Sequence, residues 1–536
     1  MSVKGNFFKG IVLGVGGMGL RTVLNILIMP IIIYYLGVEQ YGFYLFLLSF
    51  IEMLIMVDMG LNVGLVNRLS VYSGEENRDK AKEQLSVGFW LYLGLSLLMY
   101  FAGSFVLPHM TSWFKLSEPL LAMADQGYLI VLVIGAFSLF GNYYQSLVLA
   151  RHHYHWVQIA DLVYLIGSNV LALILLASGH GLIDILLSRL VLIVIRTIAL
   201  AVCTYKLEAM ALFPPFKIRL AAMRELFSIS VFSLLLSLSA IFAMRIDNMV
   251  IAAHLTMVEV AVFGIVFRLY NMVSEVVDKL TVGFLPLMST YFSQGDTAKT
   301  RLIFIRGTAF LNYVSTALLI WVTVYYEPIF KYFSHNEIEI EPTYQLMWVV
   351  AVIVWSRCIV RPADNYLFIF NHRWLVIGGS LIATAANVGL SLLLVKPLGI
   401  AGVALGTLIP SVIEQQFFLV LQSCRKLNVS IPSFLKQTYV DVLPALLGCT
   451  ALIFIGKYLS GPLGLTLGHP YVDMFANGIV AFSVSGIIWL GTAASSLERE
   501  LILKRLEGYF VKLPQFKACA ARLSGRKLAE AKGSQS

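Results

Sequence analysis

Charge is scarce in this sequence. Asp, Glu, Lys and Arg together make up 13% of 536 residues, where soluble globular domains carry roughly a quarter. That scarcity excludes a chain with an ordinary water-facing surface. Cysteine is rare as well: the five present (Cys203, Cys358, Cys424, Cys449 and Cys519) are scattered and odd in number, which excludes a disulfide framework or a closely spaced thiolate metal site. No P-loop, GxSxG elbow or HExxH pair occurs, so nothing points to phosphate cradling, acyl transfer or zinc hydrolysis. The expectation is a protein that is not an enzyme and has no cofactor or metal.

What is present is apolar. Hydrophobic residues form 59% of the chain and the mean hydropathy is +0.82. Runs long enough to cross hydrocarbon, ~20 residues, lie near 10–35, 41–67, 85–107, 124–149, 156–178, 182–205, 226–254, 258–290, 303–326, 344–370, 374–395, 399–423, 438–458 and 474–496. The alternating ~10-residue segments of a membrane barrel are missing. The fold class expected is an all-α polytopic membrane protein with about 14 transmembrane helices.

The net charge of +9 could suggest nucleic acid, but its distribution argues otherwise. With Lys4 and Lys9 placed in the cytosol, 27 of the 39 Lys and Arg fall in cytosolic segments and four (Lys115, Lys331, Lys396, Lys457) on the opposite side. The other eight are inside spans. Such asymmetry follows the positive-inside rule and sets both termini in the cytosol. The basic excess reports topology, and no nucleic-acid partner is expected. The first span begins like a signal peptide but is too long and lacks a small-residue cleavage site, so it is expected to remain in the chain.

A shift of 220 residues aligns the chain with itself. "VEQYGFYLFLLSFIEMLIMVDMG" from Val38 lies over "VEVAVFGIVFRLYNMVSEVVDKL" from Val258, matching Glu39 with Glu259, Phe43 with Phe263 and Asp58 with Asp278. The same offset pairs His152 with His372, Gly179 with Gly399 and Lys206-Leu207 with Lys426-Leu427. Six helices per copy is an even number, so the copies enter the membrane in the same orientation. Two pseudo-symmetric six-helix lobes related by an axis along the membrane normal, with a cavity between them, are expected. The divisions are 1–220, 221–437, two extra C-terminal helices in 438–496, and a tail from 497 to 536.

Three stretches carry a family resemblance. "IIYYLGVEQYGFYLFLLSFIEMLIMVDMGLNVGLVNRL", "MRIDNMVIAAHLTMVEVAVFGIVFRL" and "VKPLGIAGVALGTLIPSVIEQ" resemble the opening, the second-lobe start and the twelfth span of Wzx-type O-antigen and exopolysaccharide flippases. These belong to the multidrug/oligosaccharidyl-lipid/polysaccharide (MOP) exporter superfamily, whose fold is MATE-like. The likeness covers about residues 10–430. It implies a bacterial inner-membrane flippase that moves undecaprenyl-diphosphate-linked oligosaccharide from the cytosolic to the outer leaflet by alternating access. The implied partners are that lipid-linked substrate, membrane lipids, a coupling ion (proton or sodium) and other polysaccharide-assembly proteins. Two alternatives stand beside it: a small-molecule or drug cation antiporter of the same superfamily, and a membrane-embedded polysaccharide polymerase or ligase.

The charges inside the spans are the candidate site. Arg21, Arg189, Arg196, Arg245, Arg268, Lys279, Arg357 and Arg361 would together cost on the order of 20–28 kcal/mol if all faced lipid. Most must therefore face partners, water or headgroups. Arg245 and Asp247 are two apart and cannot pair on a regular helix, whereas Arg245 and Asn248 share a face. Arg357, Arg361 and Asp364/Asn365 form one stripe on a continuous tenth span, and Asn25 stands where Arg245 stands in the second copy, one turn from Arg21. Guanidinium forks suit a diphosphate, and amides suit sugar hydroxyls. Arg21, Asn25, Arg245, Asn248, Arg357, Arg361 and Asn365 are therefore the substrate-cavity candidates. Asp58, Asp247, Asp278 and Asp364 are candidates for ion coupling or charge balance. Glu52 and Asp58 can equally be helix–helix glue, Glu275 and Lys279 can neutralise each other, and Arg189 and Arg196 are read as structural.

Three further features are set aside. "GVGGMG" from Gly14 matches a dinucleotide fingerprint, but it lies inside the first span without the strand that chemistry needs. "RHHYHW" from Arg151 lacks a carboxylate or thiolate neighbour and reads as an interfacial turn. The basic tail is amphipathic in its first half and suits an anionic inner leaflet.

Overall fold

The computed structural model of the protein describes residues 3–55, 58–74, 77–207, 212–216, 219–281, 284–369, 373–459 and 469–492. Among them there is no strand. In order the helices are α1 (Val3–Ile55), α2 (Asp58–Gly74), α3 (Arg78–Ser104), the single turn α4 (Met110–Trp113), α5 (Glu118–Ala150), α6 (Tyr154–Ala177), α7 (Leu182–Leu207), α8 (Leu220–His254), α9 (Met257–Thr281) and α10 (Phe284–Ser293). They continue with α11 (Thr297–Val324), α12 (Tyr326–Ser334), α13 (Thr343–Ile359), α14 (Arg361–Ile369), α15 (Arg373–Val412), α16 (Leu421–Lys426), α17 (Ile431–Leu435), α18 (Leu443–Leu459) and α19 (Pro470–Thr492). π-helical turns occupy Ile413–Val420 and Lys436–Val440.

Ten described helices are long and apolar enough to cross a membrane, or eleven when the bent pair α13–α14 counts as one. The protein is thus a multi-pass α-helical membrane protein. The expected fourteen is approximate because some spans are fused: α1 is broken at Gly37 and α15 at Gly399, each with a positive φ. The helix Trp374–Lys426 accordingly covers the two spans expected at 374–395 and 399–423.

The 220-residue repeat is visible in the helix boundaries. α3 begins at Arg78 and ends at Ser104, and α11 begins at Thr297 and ends at Val324. Both start under an Asx cap: Asn77 accepts from Lys80 N at 3.2 Å and Asp296 from Lys299 N at 3.0 Å, as helix N-termini favour. The Lys299 side chain at 2.8 Å, then that backbone bond, hold the Asp296 carboxyl below its ordinary range. Gly179, between α6 and α7, has φ 82 and its repeat partner Gly399 has φ 59. A side chain in this left-handed region costs about 1–2 kcal/mol. Gly399→Ala therefore lowers the thermal midpoint of the solubilised protein, whereas Gly378→Ala, at a helical position with open space around it, leaves it unchanged or raises it.

The lysines that break the basic asymmetry have structural work. Lys115 Nζ donates to His254 O at 2.6 Å, closing the C-terminus of α8, and Lys457 Nζ donates to Val324 O at 2.5 Å, closing α11. Cations are favoured at these carbonyl-rich ends.

Two compact units emerge. The first contains Met1–Arg268, Pro328–Val350 and Ile377–Ser411. Its core includes Leu65, Tyr92, Tyr143 and Leu200. The second contains Leu269–Glu327, Ala351–Val376 and Val412–Ser536. Its core includes Phe304, Tyr366, Leu367 and Phe434.

Candidate functional site

In the first unit the answer to the Arg245–Asp247 spacing is that each side chain serves a different neighbour. Arg245 Nε forms an ion pair with Glu52 of α1. One turn on, Asn248 Nδ2 donates to Ser49 Oγ at 2.8 Å, and Ser49 is one turn before Glu52. Arg245 and Asn248 thus share a face, as their spacing requires, and that face is zipped to α1. Asp247 turns away. It is buried and accepts from Thr407 Oγ1 of α15 at 2.7 Å. Ser391 donates to Asn387 Oδ1 at 3.0 Å and to Val403 O at 3.2 Å, so a small group of oxygen atoms gathers on α15 behind Asp247.

Depth and exposure decide what Arg245 can do. It lies nine residues before His254, the last residue of α8, about 14 Å along the helix at 1.5 Å per residue. That is roughly the middle of a hydrocarbon layer. Even so, the Arg245 and Glu52 side chains are 38% and 44% exposed. Charges at that depth and exposure require water or a polar ligand beside them. A buried pair would be sealed; this one is open.

The second unit contains a similar pair. Arg361 Nη2 and Asp278 Oδ1 are 2.7 Å apart, with side chains 33% and 48% exposed. The expected continuous stripe through Arg357, Arg361, Asp364 and Asn365 needs correction. The helix breaks at Val360 and bends by 40°, so Arg357 ends α13 while Arg361, Asp364 and Asn365 begin α14. Pro362 is the cause: it has no N–H for the Cys358 carbonyl, and its ring crowds that turn. Asp364 lies within electrostatic reach of Arg361 and Glu414. Gln416 donates to Ser356 O and Ser356 Oγ, both at 3.1 Å, and accepts from Tyr439 at 3.2 Å. Glu414 and Gln416 stand in a π-helical stretch, a feature often found at functional sites. Neither was legible as a site residue in the sequence.

Other candidates are placed differently. Asp58 is buried and accepts from Asn142 of α5. Arg196 is tied to Asp161 at 2.7 Å and Gln145 at 2.5 Å, and Arg189 lies over the Tyr44 ring at 5.3 Å. Arg21 and Asn25 lie on α1, and their side chains fall outside the described residues.

Comparison with known proteins fits this geometry. A family model, that of polysaccharide biosynthesis proteins, matches residues 7–292, more than half of the chain. No curated protein matches the sequence. Among solved structures, the lipid II flippase MurJ in an inward closed conformation aligns with a TM-score of 0.67 at 13% identity, over 89% of this chain and 98% of that one. An inward-facing multidrug resistance MATE family transporter of the MOP superfamily gives 0.59 at 15% identity, over 76% and 94%. A MOP superfamily transporter from Pyrococcus furiosus gives 0.53 at 15% identity, over 80% and 96%. At these identities the likeness establishes the fold.

Proposed function

The chain belongs to the polysaccharide biosynthesis protein family, and from that premise we propose that it is a flippase for undecaprenyl-diphosphate-linked oligosaccharide. It moves the repeat unit from the cytosolic to the outer leaflet of a bacterial inner membrane, with both termini cytosolic. The observation that carries this reading is the open Arg245–Glu52 pair at membrane depth. A diphosphate can replace the carboxylate as the partner of the guanidinium, because both present paired oxygens to the same fork. The arginine is never left without an anion, so the exchange avoids most of the penalty of stranding a charge away from water. Arg361 with Asp278 offers a second exchangeable pair, and Asn248 and Asn365 offer amides for sugar hydroxyls. Arg21, Asn25 and Arg357 belong to the same proposed set. The two repeats, 1–220 and 221–437, act as the lobes of an alternating-access cycle, with 438–496 and the tail outside it. Other polysaccharide-assembly proteins receive the translocated unit.

Deleting the protein tests this. Lipid-linked oligosaccharide then accumulates on the cytosolic face. Unpolymerised units on the outer face would instead mark the protein as a polymerase.

Asp247, Asp58, Asp278 and Asp364 are proposed for charge balance or ion coupling. Asp247 is the best placed, since its carboxylate meets the hydroxyl and carbonyl oxygens of α15. Asp247→Asn is expected to make residual translocation insensitive to collapse of proton and sodium gradients, measured in membrane vesicles. A gradient dependence equal to that of the unaltered protein would remove Asp247 from coupling.

A further inference from the structure

The outer face of the α6–α7 hairpin holds a groove unrelated to the charged pairs. Six of its lining residues define it: Trp156, Ala160 and Val163 from α6, and Leu192, Ala199 and Cys203 from α7. Its walls are almost wholly apolar. Arg196 contributes only its stem, since its head is held by Asp161 and Gln145. The surface around the groove is also apolar and exposed, with Val163 at 53%, Ile195 at 47%, Ile198 at 56% and Val202 at 47%. In a membrane protein that face meets acyl chains. Ala160 and Ala199 make the depression by being small between larger neighbours.

The end of the groove is chemically distinct. α6 and α7 are antiparallel about the turn at Gly179, so the start of α6 and the end of α7 lie at the same end of the pair. Arg151, His152, His153 and His155 gather there from one side, and Tyr205 and Lys206 from the other, with Trp156 46% exposed at the mouth. The nearest carboxylate on α6, Asp161, is already neutralised by Arg196. A cationic, aromatic mouth over an apolar slot between helices is complementary to one class of molecule. We propose that this groove binds one anionic phospholipid, with its phosphate at the Arg151/His153/Lys206 mouth and one acyl chain along Ala160 and Ala199. The motif "RHHYHW" thereby acquires a role as a headgroup clamp.

The test is native mass spectrometry of the full chain in detergent, offered phosphatidylglycerol and phosphatidylcholine with identical acyl chains. One phosphatidylglycerol is retained about tenfold over phosphatidylcholine, in keeping with two fixed cations at a membrane surface. Ala199→Phe fills the slot from a lipid-facing position and abolishes that retention. The double variant Arg151→Ala/Lys206→Ala leaves the slot intact and reduces phosphatidylglycerol to the phosphatidylcholine level. Leu187→Phe, exposed elsewhere on α7, changes neither. Equal retention of the two lipids by the unaltered protein would overturn the proposal, as would an undiminished preference in both groove variants. Stoichiometric displacement of phosphatidylglycerol by undecaprenyl phosphate would also overturn it, by assigning the groove to the carrier lipid.

Discussion

Arg245→Ala lowers surface polymer by on the order of 100-fold while the protein still folds and inserts. Truncating one partner of a hydrogen-bonded charge pair costs about 2–5 kcal/mol, and 1.4 kcal/mol is tenfold. The loss therefore falls between roughly 30-fold and several thousand-fold. Folding survives because the Glu52 carboxylate left behind is 44% exposed and can be hydrated, unlike a sealed buried charge. Arg245→Lys keeps the charge but loses the planar fork, so it recovers only part of the export. Glu52→Gln removes the competing anion and tightens binding of a diphosphate several-fold. Polymer on whole cells and membrane protein level, measured together, separate these outcomes from misfolding. Normal export from Arg245→Ala would take this residue out of the mechanism.

Gly406→Val has the opposite signature: it removes the folded protein itself. After the turn at Gly399, the second half of α15 packs against the first with almost no space between them. A Cβ on Gly406 would lie 2.3 Å from Ser391 Oγ and 2.6 Å from Ser391 N, and one on Gly402 would lie 2.1 Å from Leu394 O. Main-chain atoms cannot rotate aside, so relief requires separating the helix halves. Overpacking costs about 1–3 kcal/mol even where side chains can yield, and here more is expected. Most of the variant should fail to reach a monodisperse peak in detergent. The same displacement moves Thr407, the donor to Asp247, so any surviving fraction is inactive. Gly389→Ala provides the control, since nothing lies within 4 Å of its added carbon. It should be recovered at the normal level.

These two residues mark what the sequence could and could not convey. The small-residue spacing at Gly402 and Gly406 is visible in "GIAGVALG", and the fixed offset of 220 residues correctly paired Gly179 with Gly399. Period and offset are properties of the chain alone, so class and repeat are legible. Arg245 stood out because a guanidinium in an apolar run is expensive. Its partner was harder to identify. Glu52 lies 193 residues away, and nothing local to either residue encodes their meeting. The same holds for Thr407 opposite Asp247. Pro362 did carry the break in the tenth span, but the apolar run through it favoured one continuous helix. The π-helical turn bearing Glu414 and Gln416 has no composition signal, because it arises from packing against its neighbours.

Translocation by the purified protein tests the central claim most directly. Proteoliposomes containing undecaprenyl-diphosphate oligosaccharide in the inner leaflet can be probed with an externally added glycosidase. The account predicts that the unaltered protein exposes the glycan to the enzyme far faster than empty liposomes do, and that Arg245→Ala does not. Equal exposure with the two proteins, or no exposure above empty liposomes with either, would contradict it.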